Sequence, residues 1–272
     1  MNNLIIYCIT NKKSELLEQL PFRLVGVGKE KFSSKYLNCS NKINIQKKEK
    51  NYSELTFHYW FWKNQLKYIN NNLWVGFCQK RRFWIKSNSK INNFQDLKKK
   101  LITKIPNQWS KYNAIICKPI NVNNPKTMKV IKRGFKNIIR DPSILFDKKK
   151  QTIKLHFDMH HGYGVLDKAI DCMNRKDKEE FRDYVSQNSL FNPHIMCISK
   201  KKILNKWFKD LFEWLFECEK IFGFENLIGY DQQRLYAYLA ERYLPFWFRK
   251  YSRFKESNWI FFDPLDKKHS LN

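Results

Sequence analysis

Short apolar runs alternate with helical periodicity along the first two thirds of the chain. LIIYCIT (4–10) and FRLVGVG (22–28) open it and predict two strands, and residues 73–78 form a continuous apolar run typical of a strand covered on both faces of a sheet. Residues 53–69 then carry Leu, aromatic and Ile side chains at helical spacing. The same two criteria predict strands at 73–78, 112–120, 152–157 and 194–199, and helices at 125–139, 164–173, 177–186, 203–224 and 230–244. This alternation predicts an α/β fold with a mostly parallel sheet flanked by helices.

Helices dominate the last third of the chain, and no linker separates them from the rest. Only eight glycines and eight prolines occur, and no internal repeat is visible. We therefore expect one domain over 1–272, with an α/β core at 1–199 and a helical C-terminal subdomain at 200–272.

The charge of +27 points to an anionic partner such as a nucleic acid, a lipid surface or a phosphorylated small molecule. Only 11 of the 52 cations are arginine. The simplest interpretation of the lysine runs at 98–100, 148–150 and 200–202 is that they lie on the solvated surface. Arginine is the better phosphate ligand because its planar fork donates two hydrogen bonds. The adjacent pair Arg81 and Arg82 is therefore more informative than the lysines.

Cysteine and hydropathy patterns predict a reduced, cytoplasmic chain. The seven cysteines form no CxxC and no zinc-like spacing with the six histidines. The apolar start is too short for a signal peptide, and no run of about 20 apolar residues predicts a membrane span. The aromatic and basic tail at 244–262 either lies on the anionic inner face of a membrane or packs back on the domain as a strand.

Three polar segments follow predicted strands, where open α/β sheets bind their ligands. They are 10–12, 79–82 and 158–163. If they line one crevice, the two arginines either bind a diphosphate through charge-assisted bonds or pair with carboxylates across the fold. No phosphate-binding loop, dinucleotide fingerprint, serine-hydrolase elbow or zincin motif is present, so the corresponding enzyme classes are excluded.

The segment DMHHGYGVLDKAID holds the densest cluster of titratable groups. Asp158, His160, His161 and Asp167 lie within it. A carboxylate or an imidazole here is a candidate base for a hydroxyl nucleophile. A metal site and ordinary loop hydrogen bonding are the two alternatives, and the metal is disfavoured because no HxH occurs and because adjacent histidines such as His160 and His161 usually point in different directions.

Two neighbouring segments, SELTFHYWFWKN and WVGFCQKRRFW, resemble the paired signature of a bacterial capsular and exopolysaccharide-biosynthesis family. Its members are described as a domain of unknown function or as glycosyltransferase-like, allied to the GT-A glycosyltransferases. YNAIICKPI, HHGYGVLDKAI, FNPHIMCISKKKILNKWFKDLFEWLFECEK and DQQRLYAYLAERYL resemble further motifs of that family in the same order. The chain departs from the family at Gln79 and Lys80, where a His-Tyr pair is usual, and at a glycine replaced by Tyr236 or Ala237.

The resemblance implies a GT-A-like, Rossmann-like fold and a transferase that moves a sugar from a nucleotide sugar to a glycan or lipid-linked acceptor. It implies that Lys80, Arg81 and Arg82 stand where such enzymes use metal-binding carboxylates, so we expect transfer without a metal or other cofactor. Nucleic-acid binding and an inactive nucleotide-sugar-binding module are the rival interpretations. The implied donor-binding residues are Thr10, Asn11, Glu54, Trp62, Lys63, Lys80, Arg81 and Arg82; the candidate bases are Asp167, His161 and Asp158; acceptor or supporting roles fall to His160, Asn192, Arg234 and Glu241.

Overall fold

A computed structural model describes residues 3–88, 90–123, 125 and 127–264 of the chain. Eleven strands occur in that part. They are β1 (Leu4–Thr10), β2 (Arg23–Gly26), β3 (Tyr36–Asn38), β4 (Trp74–Gln79), β5 (Arg82–Trp84), β6 (Ala114–Cys117), β7 (Ile120–Asn121), β8 (Leu190–Phe191), β9 (Cys197–Lys200), β10 (Phe254–Ser257) and β11 (Trp259–Phe261).

The α-helices of the described chain alternate with these strands. They are α1 (Glu15–Glu18), α2 (Glu49–Tyr52), α3 (Leu55–Asn64), α4 (Phe94–Lys100), α5 (Thr127–Arg133), α6 (Phe135–Arg140), α7 (Ile153–His161), α8 (Val165–Asp171), α9 (Arg175–Gln187), α10 (Lys201–Phe222), α11 (Tyr230–Gln233) and α12 (Leu235–Tyr251). Short 3-10 turns lie at Gln46–Lys48, Leu66–Tyr68, Asn107–Trp109, Pro142–Leu145 and Lys148–Lys150.

The main sheet has the strand order β10-β6-β9-β4-β1-β2-β3, and β5 and β11 form a hairpin-like extension from β4. Along that order every pairing is parallel except the two made by β9. This mixed, mostly parallel sheet flanked by helices confirms the predicted α/β class. The remaining strands, β7 and β8, pair with each other in a separate antiparallel ladder.

The chain divides into two compact units. The first comprises the described residues of Met1–Lys118, His194–Lys209 and Phe248–Asn272, and it contains the whole main sheet. The second comprises those of Pro119–Pro193 and Asp210–Trp247. The predicted division into 1–199 and 200–272 stays a prediction.

Both faces of the main sheet are covered by apolar side chains, as the continuous apolar runs predict. Because side chains alternate along a strand, Ile6 and Cys8 join one buried cluster while Tyr7 points to the opposite face. On that opposite face an aromatic cluster forms, in which the rings of Phe61 and Phe77 lie 5.4 Å apart and meet edge to face. The cluster also contains Phe57 and Phe208. Parallel strands of this composition require such two-sided cover.

The strand predicted at 152–157 is wrong, because these residues begin α7. Thr152 caps the helix by accepting a hydrogen bond from the Leu155 N–H. Ile153, Leu155 and Phe157 are apolar at every second position, which is the pattern of a strand. The structure shows that Asp158 and His161 are buried too, and burial at positions 157, 158 and 161 follows the helical period. Consequently the segment 158–163 does not follow a strand of the sheet.

The aromatic tail takes the packed-back alternative. Trp247 and Phe248 are buried in α12, and the chain continues as β10, which pairs in parallel with β6, and β11, which pairs with β5. The C-terminal third is therefore helical only as far as Tyr251. Within the described residues, no helix combines the length and apolarity needed to cross a bilayer.

Candidate functional site at the carboxyl ends of the parallel strands

The carboxyl ends of β2, β1 and β4 lie side by side at one edge of the sheet. Thr10 is in register with Gly26 of β2, and the Val27 N–H donates to the Thr10 carbonyl at 2.9 Å. On the other side, the Lys80 N–H donates to the Ile9 carbonyl at 3.0 Å. These backbone bonds bring the first two predicted polar segments, 10–12 and 79–82, together as the sequence implies.

Lys80 and Asn11 form the polar centre of this edge. The Lys80 ammonium donates a hydrogen bond of 2.5 Å to Asn11 Oδ1, and both residues are half-buried. The Thr10 hydroxyl instead donates to the Lys12 carbonyl at 2.6 Å and accepts from the Lys12 N–H at 3.0 Å. Thr10 is 1% exposed, so it shapes the turn that presents Asn11.

Gln79 links a carboxylate and a guanidinium beside Lys80. Its amide nitrogen donates to Glu54, and its amide oxygen accepts from Arg82 Nη1 at 3.1 Å. The family's usual histidine at this position has one donor and one acceptor when neutral, and an amide has both as well. Gln79 therefore forms a bridge between the start of α3 and the end of β4. We name Asn11, Glu54, Gln79, Lys80 and Arg82 the strand-end cluster.

Arg81 serves the fold more than the open edge. Its Nε lies 2.8 Å from the Asp263 carboxylate, and its carbonyl accepts from the Phe262 N–H at 2.9 Å. Of the two roles that the sequence left open for Arg81, the structure shows the pairing with a carboxylate. Arg82 differs, because its guanidinium contacts the Gln79 amide and lies over Phe261, with 5.7 Å between the guanidinium carbon and the ring centroid.

A cleft of about 560 Å³ opens beside the strand-end cluster. It lies at the ends of β2 and β3 and is lined by Gly26, Gly28, Glu30, Lys31, Phe32, Ser33, Ser34, Tyr36, Leu37, Asn38, Ser40 and Gln46. Gly26 connects the cleft to the strand edge, since it pairs with Thr10 of β1 and lines the cleft. A Cβ there would lie 2.3 Å from the Phe32 ring, so only glycine fits between ring and strand. Gly28 has φ +86°, a conformation that favours glycine.

Trp62 and Lys63 lie at the opposite end of α3 from Glu54. Eight residues of helix separate Glu54 from Trp62, which corresponds to about 12 Å along the axis. The Trp62 indole donates to Asn205 Oδ1 at 2.9 Å, and the Lys63 ammonium lies 3.5 Å from the Trp62 ring centroid. The structure therefore does not bring these two predicted donor-binding residues to the strand-end cluster.

The second unit holds three histidines on one side of α7. The rings of His156 and His160 stack at 4.4 Å, and the His161 ring stacks on Tyr238 at 3.8 Å. His161 Nδ1 lies 2.8 Å from the Asp231 carbonyl, so Nδ1 carries the proton and the lone pair is on Nε2. Burial, aided by the nearby Arg242 charge, lowers the pKa of His161 to about 3 and that of His156 to about 2.

Arg242 is the buried charge that organises this histidine cluster. It is 1% exposed, it pairs with Glu241, and its Nη2 donates to His156 Nδ1 at 3.2 Å. Its guanidinium also lies 4.2 Å from the Phe191 ring centroid. A charge held in this way is oriented by an ion pair, a hydrogen bond and an aromatic face together.

The two carboxylates predicted as bases are both engaged. Asp158 accepts from Asn137 Nδ2 at 2.8 Å and from the Gly164 N–H at 3.1 Å, while burial raises its pKa. Asp167 pairs with Lys154 and lies 3.5 Å from Arg182 Nη1. Of the three predicted bases, His161 is the one whose bonding leaves a lone pair at a defined ring atom.

The remaining predicted residues occupy the second unit. His160 Nδ1 bonds the His156 carbonyl at 2.9 Å, Asn192 is fully buried, and the Arg234 guanidinium lies 4.9 Å from the Tyr230 ring centroid. Glu241 pairs with its neighbour Arg242 on the same helix. Over residues 3–88, 90–123, 125 and 127–264, no group of three His, Cys, Asp or Glu side chains is arranged to hold a metal ion.

Sequence reasoning missed two features of the sites. Arg242 stands next to Glu241 in LAERYL, and its position in an apolar helical run was the available signal that it is buried. The cleft lies in the polar stretch after β2, which has no periodicity. Its signal was the glycine pair in VGVG, which marks close backbone approach.

Fold and site together define an α/β protein whose sheet edge presents cations beside a cleft, similar in structure to a glycosyltransferase. The chain belongs to the family described as Domain of unknown function (DUF4422), whose profile matches residues 5–252. A solved structure described as "WbbM bifunctional glycosytransferase apo structure" superposes with a TM-score of 0.69 at 18% identity. The match covers 96% of this chain and 45% of that one. No curated protein matches the sequence.

Proposed function

We propose that this chain is a glycosyltransferase of the GT-A type that takes a nucleotide sugar as donor. The observation that carries the proposal is the Lys80–Asn11 pair at the carboxyl ends of parallel strands, next to a cleft of about 560 Å³. Ligand pockets of nucleotide size have volumes in this range. Open α/β sheets bind nucleotides at this edge, where strand ends leave backbone and side-chain groups facing outward.

The donor diphosphate is proposed to lie at Lys80, with the nucleoside in the cleft. Lys80 is half-buried, so its charge is screened less than that of the surface lysines. A lysine ammonium is a donor only, and a diphosphate oxygen is an acceptor only, so the two groups are complementary in charge and in hydrogen bonding. Arg82 supplies a second positive charge, and its bond to Gln79, which in turn bonds Glu54, holds the guanidinium in place.

Metal-independent transfer remains part of the proposal. The leaving nucleoside diphosphate gains negative charge as the sugar–oxygen bond breaks, and fixed cations stabilise that charge electrostatically. Lys80 and Arg82 would supply this stabilisation, which metal-bound carboxylates supply in many enzymes of this type. Activity that vanishes with a chelator and returns with Mn²⁺ or Mg²⁺ would refute this part alone.

The proposed acceptor is a glycan or a lipid-linked glycan in surface polysaccharide assembly, and the predicted cytoplasmic location stays a prediction. Asp167, His161 and Asp158 stay the candidate bases predicted for the acceptor proton.

Donor hydrolysis tests the proposal. The full chain is incubated with a panel of nucleotide sugars, and release of the nucleoside diphosphate is measured for wild type and Lys80→Met. We expect one donor to be hydrolysed, with turnover reduced in the variant. Binding of a donor without hydrolysis, and without transfer to any acceptor, would instead identify an inactive nucleotide-sugar-binding module.

A further inference from the structure

The consecutive helices α5 and α6 form an exposed surface that the proposed reaction does not use. Gly134 joins them, and its N–H donates to the Val130 carbonyl at 2.7 Å while its carbonyl accepts from the Ile138 N–H at 3.0 Å. The helical path therefore continues from one to the other. A Cβ at Gly134 would approach the Met159 side chain to 3.3 Å, so glycine lets the segment lie close against α7.

Residues 127–140 divide into three sectors around the helix. Val130 and Ile138 face a small buried cluster with Leu155 and Met159. A second sector is apolar but exposed: Met128 is 73% exposed, Ile131 40%, Phe135 60% and Ile139 65%. At about 100° per residue, these four side chains fall within an arc of roughly 80°. We name them the exposed apolar stripe.

The third sector is cationic and runs alongside the exposed apolar stripe. It comprises Lys129, Lys132, Arg133, Lys136 and Arg140, which span an arc of roughly 100° on the same helical path. The sequence of residues 127–140 contains no Asp or Glu. Arg133 pairs with Asp231 at 3.3 Å and the Arg140 guanidinium lies over the Tyr163 ring, whereas the three lysines are exposed to solvent.

We propose that this surface binds the face of an anionic membrane. Aliphatic and aromatic side chains next to a row of lysines are the arrangement with which a helix lies in the headgroup region, its apolar stripe in the acyl boundary and its cations on lipid phosphates. Charge complementarity selects anionic lipid. The four exposed apolar side chains favour a membrane over nucleic acid, because phosphate binding alone would need only the cations.

The proposal stands on this surface alone and holds whether or not the chain transfers a sugar. Its test is co-sedimentation of the full chain with vesicles of phosphatidylcholine, with and without about one third phosphatidylglycerol. The variants are Phe135→Ser with Ile139→Ser, and Lys129→Gln with Lys132→Gln and Lys136→Gln. The matched controls are Ile221→Ser, which changes a side chain of the same 65% exposure as Ile139, and the exposed triple Lys99→Gln, Lys111→Gln, Lys202→Gln.

We expect binding only to the anionic vesicles. The lysine triple should weaken it about a hundredfold, since each lysine near a charged surface contributes roughly fivefold. The apolar double variant should weaken it at least about tenfold, and Phe135→Trp should retain wild-type binding because Trp is favoured at the interface. All substitutions are on exposed positions, and thermal melting checks that each variant folds.

Three results would overturn the proposal. One is the absence of binding to anionic vesicles. Another is equal loss in the Lys99, Lys111 and Lys202 control, which would indicate general charge attraction instead of a defined surface. The third is wild-type vesicle binding in the apolar double variant combined with loss of single-stranded RNA binding in the Lys129, Lys132 and Lys136 variant, which would assign the surface to nucleic acid.

Discussion

His58 makes the stability of the first unit depend on pH, and its replacement by Leu should remove part of that dependence. The side chain is fully buried on α3, 4.5 Å from the Phe77 ring and 5.7 Å from Phe208 between ring centroids. Neither ring nitrogen has a hydrogen-bond partner among the residues that the structure describes. Because this apolar surrounding cannot solvate an imidazolium, burial lowers the pKa of His58 from 6.5 to about 3.

The size of the effect follows from proton linkage. In the unfolded chain His58 titrates at its ordinary pKa of 6.5, whereas in the folded chain it stays neutral until about pH 3. The unfolded state therefore binds more protons as the pH falls, and folding free energy is lost below pH 6.5. Between pH 7 and pH 5 this single group removes about 2 kcal/mol.

Urea denaturation of wild type and His58→Leu at several pH values measures this contribution. At pH 7.5 the wild-type imidazole is neutral in the folded and in the unfolded state. The difference in unfolding free energy between wild type and His58→Leu at this pH therefore reports only packing. We expect this difference to be small, because the variant replaces an unsatisfied buried polar group with an apolar one. From pH 7 to pH 5 the variant should lose about 2 kcal/mol less than wild type. Equal losses in the two proteins would refute the buried, neutral histidine.

Three further substitutions test other parts of the structure. Gly26→Ala should displace the Phe32 ring, cost about 1–3 kcal/mol and weaken nucleotide binding, as measured by thermal melting and titration calorimetry. Arg242→Met should destabilise the chain by about 3–5 kcal/mol because it breaks the ion pair of a buried guanidinium with Glu241, and a melting temperature equal to wild type would contradict the buried pair. Arg81→Ala should cost less than about 1 kcal/mol and leave nucleoside diphosphate affinity nearly unchanged, since its ion pair is 40% exposed on the arginine side.

The sheet was predictable from the sequence because its strands are short continuous apolar runs. β1 and β4 coincide with the predicted runs to within a residue, and β2 and β6 lie inside theirs, since parallel strands buried on both faces show no competing period. The strand prediction for 152–157 was wrong because six residues with alternating apolar positions fit a strand and the start of a helix equally well. The deciding facts, the Thr152 cap and the burial of Asp158 and His161, depend on tertiary packing.

The site was predictable where it follows strand ends and not where it depends on contacts between distant residues. The juxtaposition of Asn11 and Lys80 follows from two parallel strands ending at one edge. The pairing of Arg81 with Asp263 could not be read from the sequence, because the two residues meet only when the tail returns beside β5. The separation of Trp62 from Glu54, in contrast, follows from the sequence once the helix is assigned, because eight residues of helix span about 12 Å along the axis.

The central claim is that Lys80 binds a nucleotide diphosphate at the carboxyl end of β4. Titration calorimetry of a panel of nucleoside diphosphates, with a chelator present, tests it on wild type, Lys80→Met and the control Lys12→Met, whose side chain is exposed on the neighbouring turn. We predict that wild type and Lys12→Met bind one of them alike and that Lys80→Met binds it about ten- to a hundredfold more weakly. Equal affinity of Lys80→Met and wild type, or no binding by wild type, would contradict the claim.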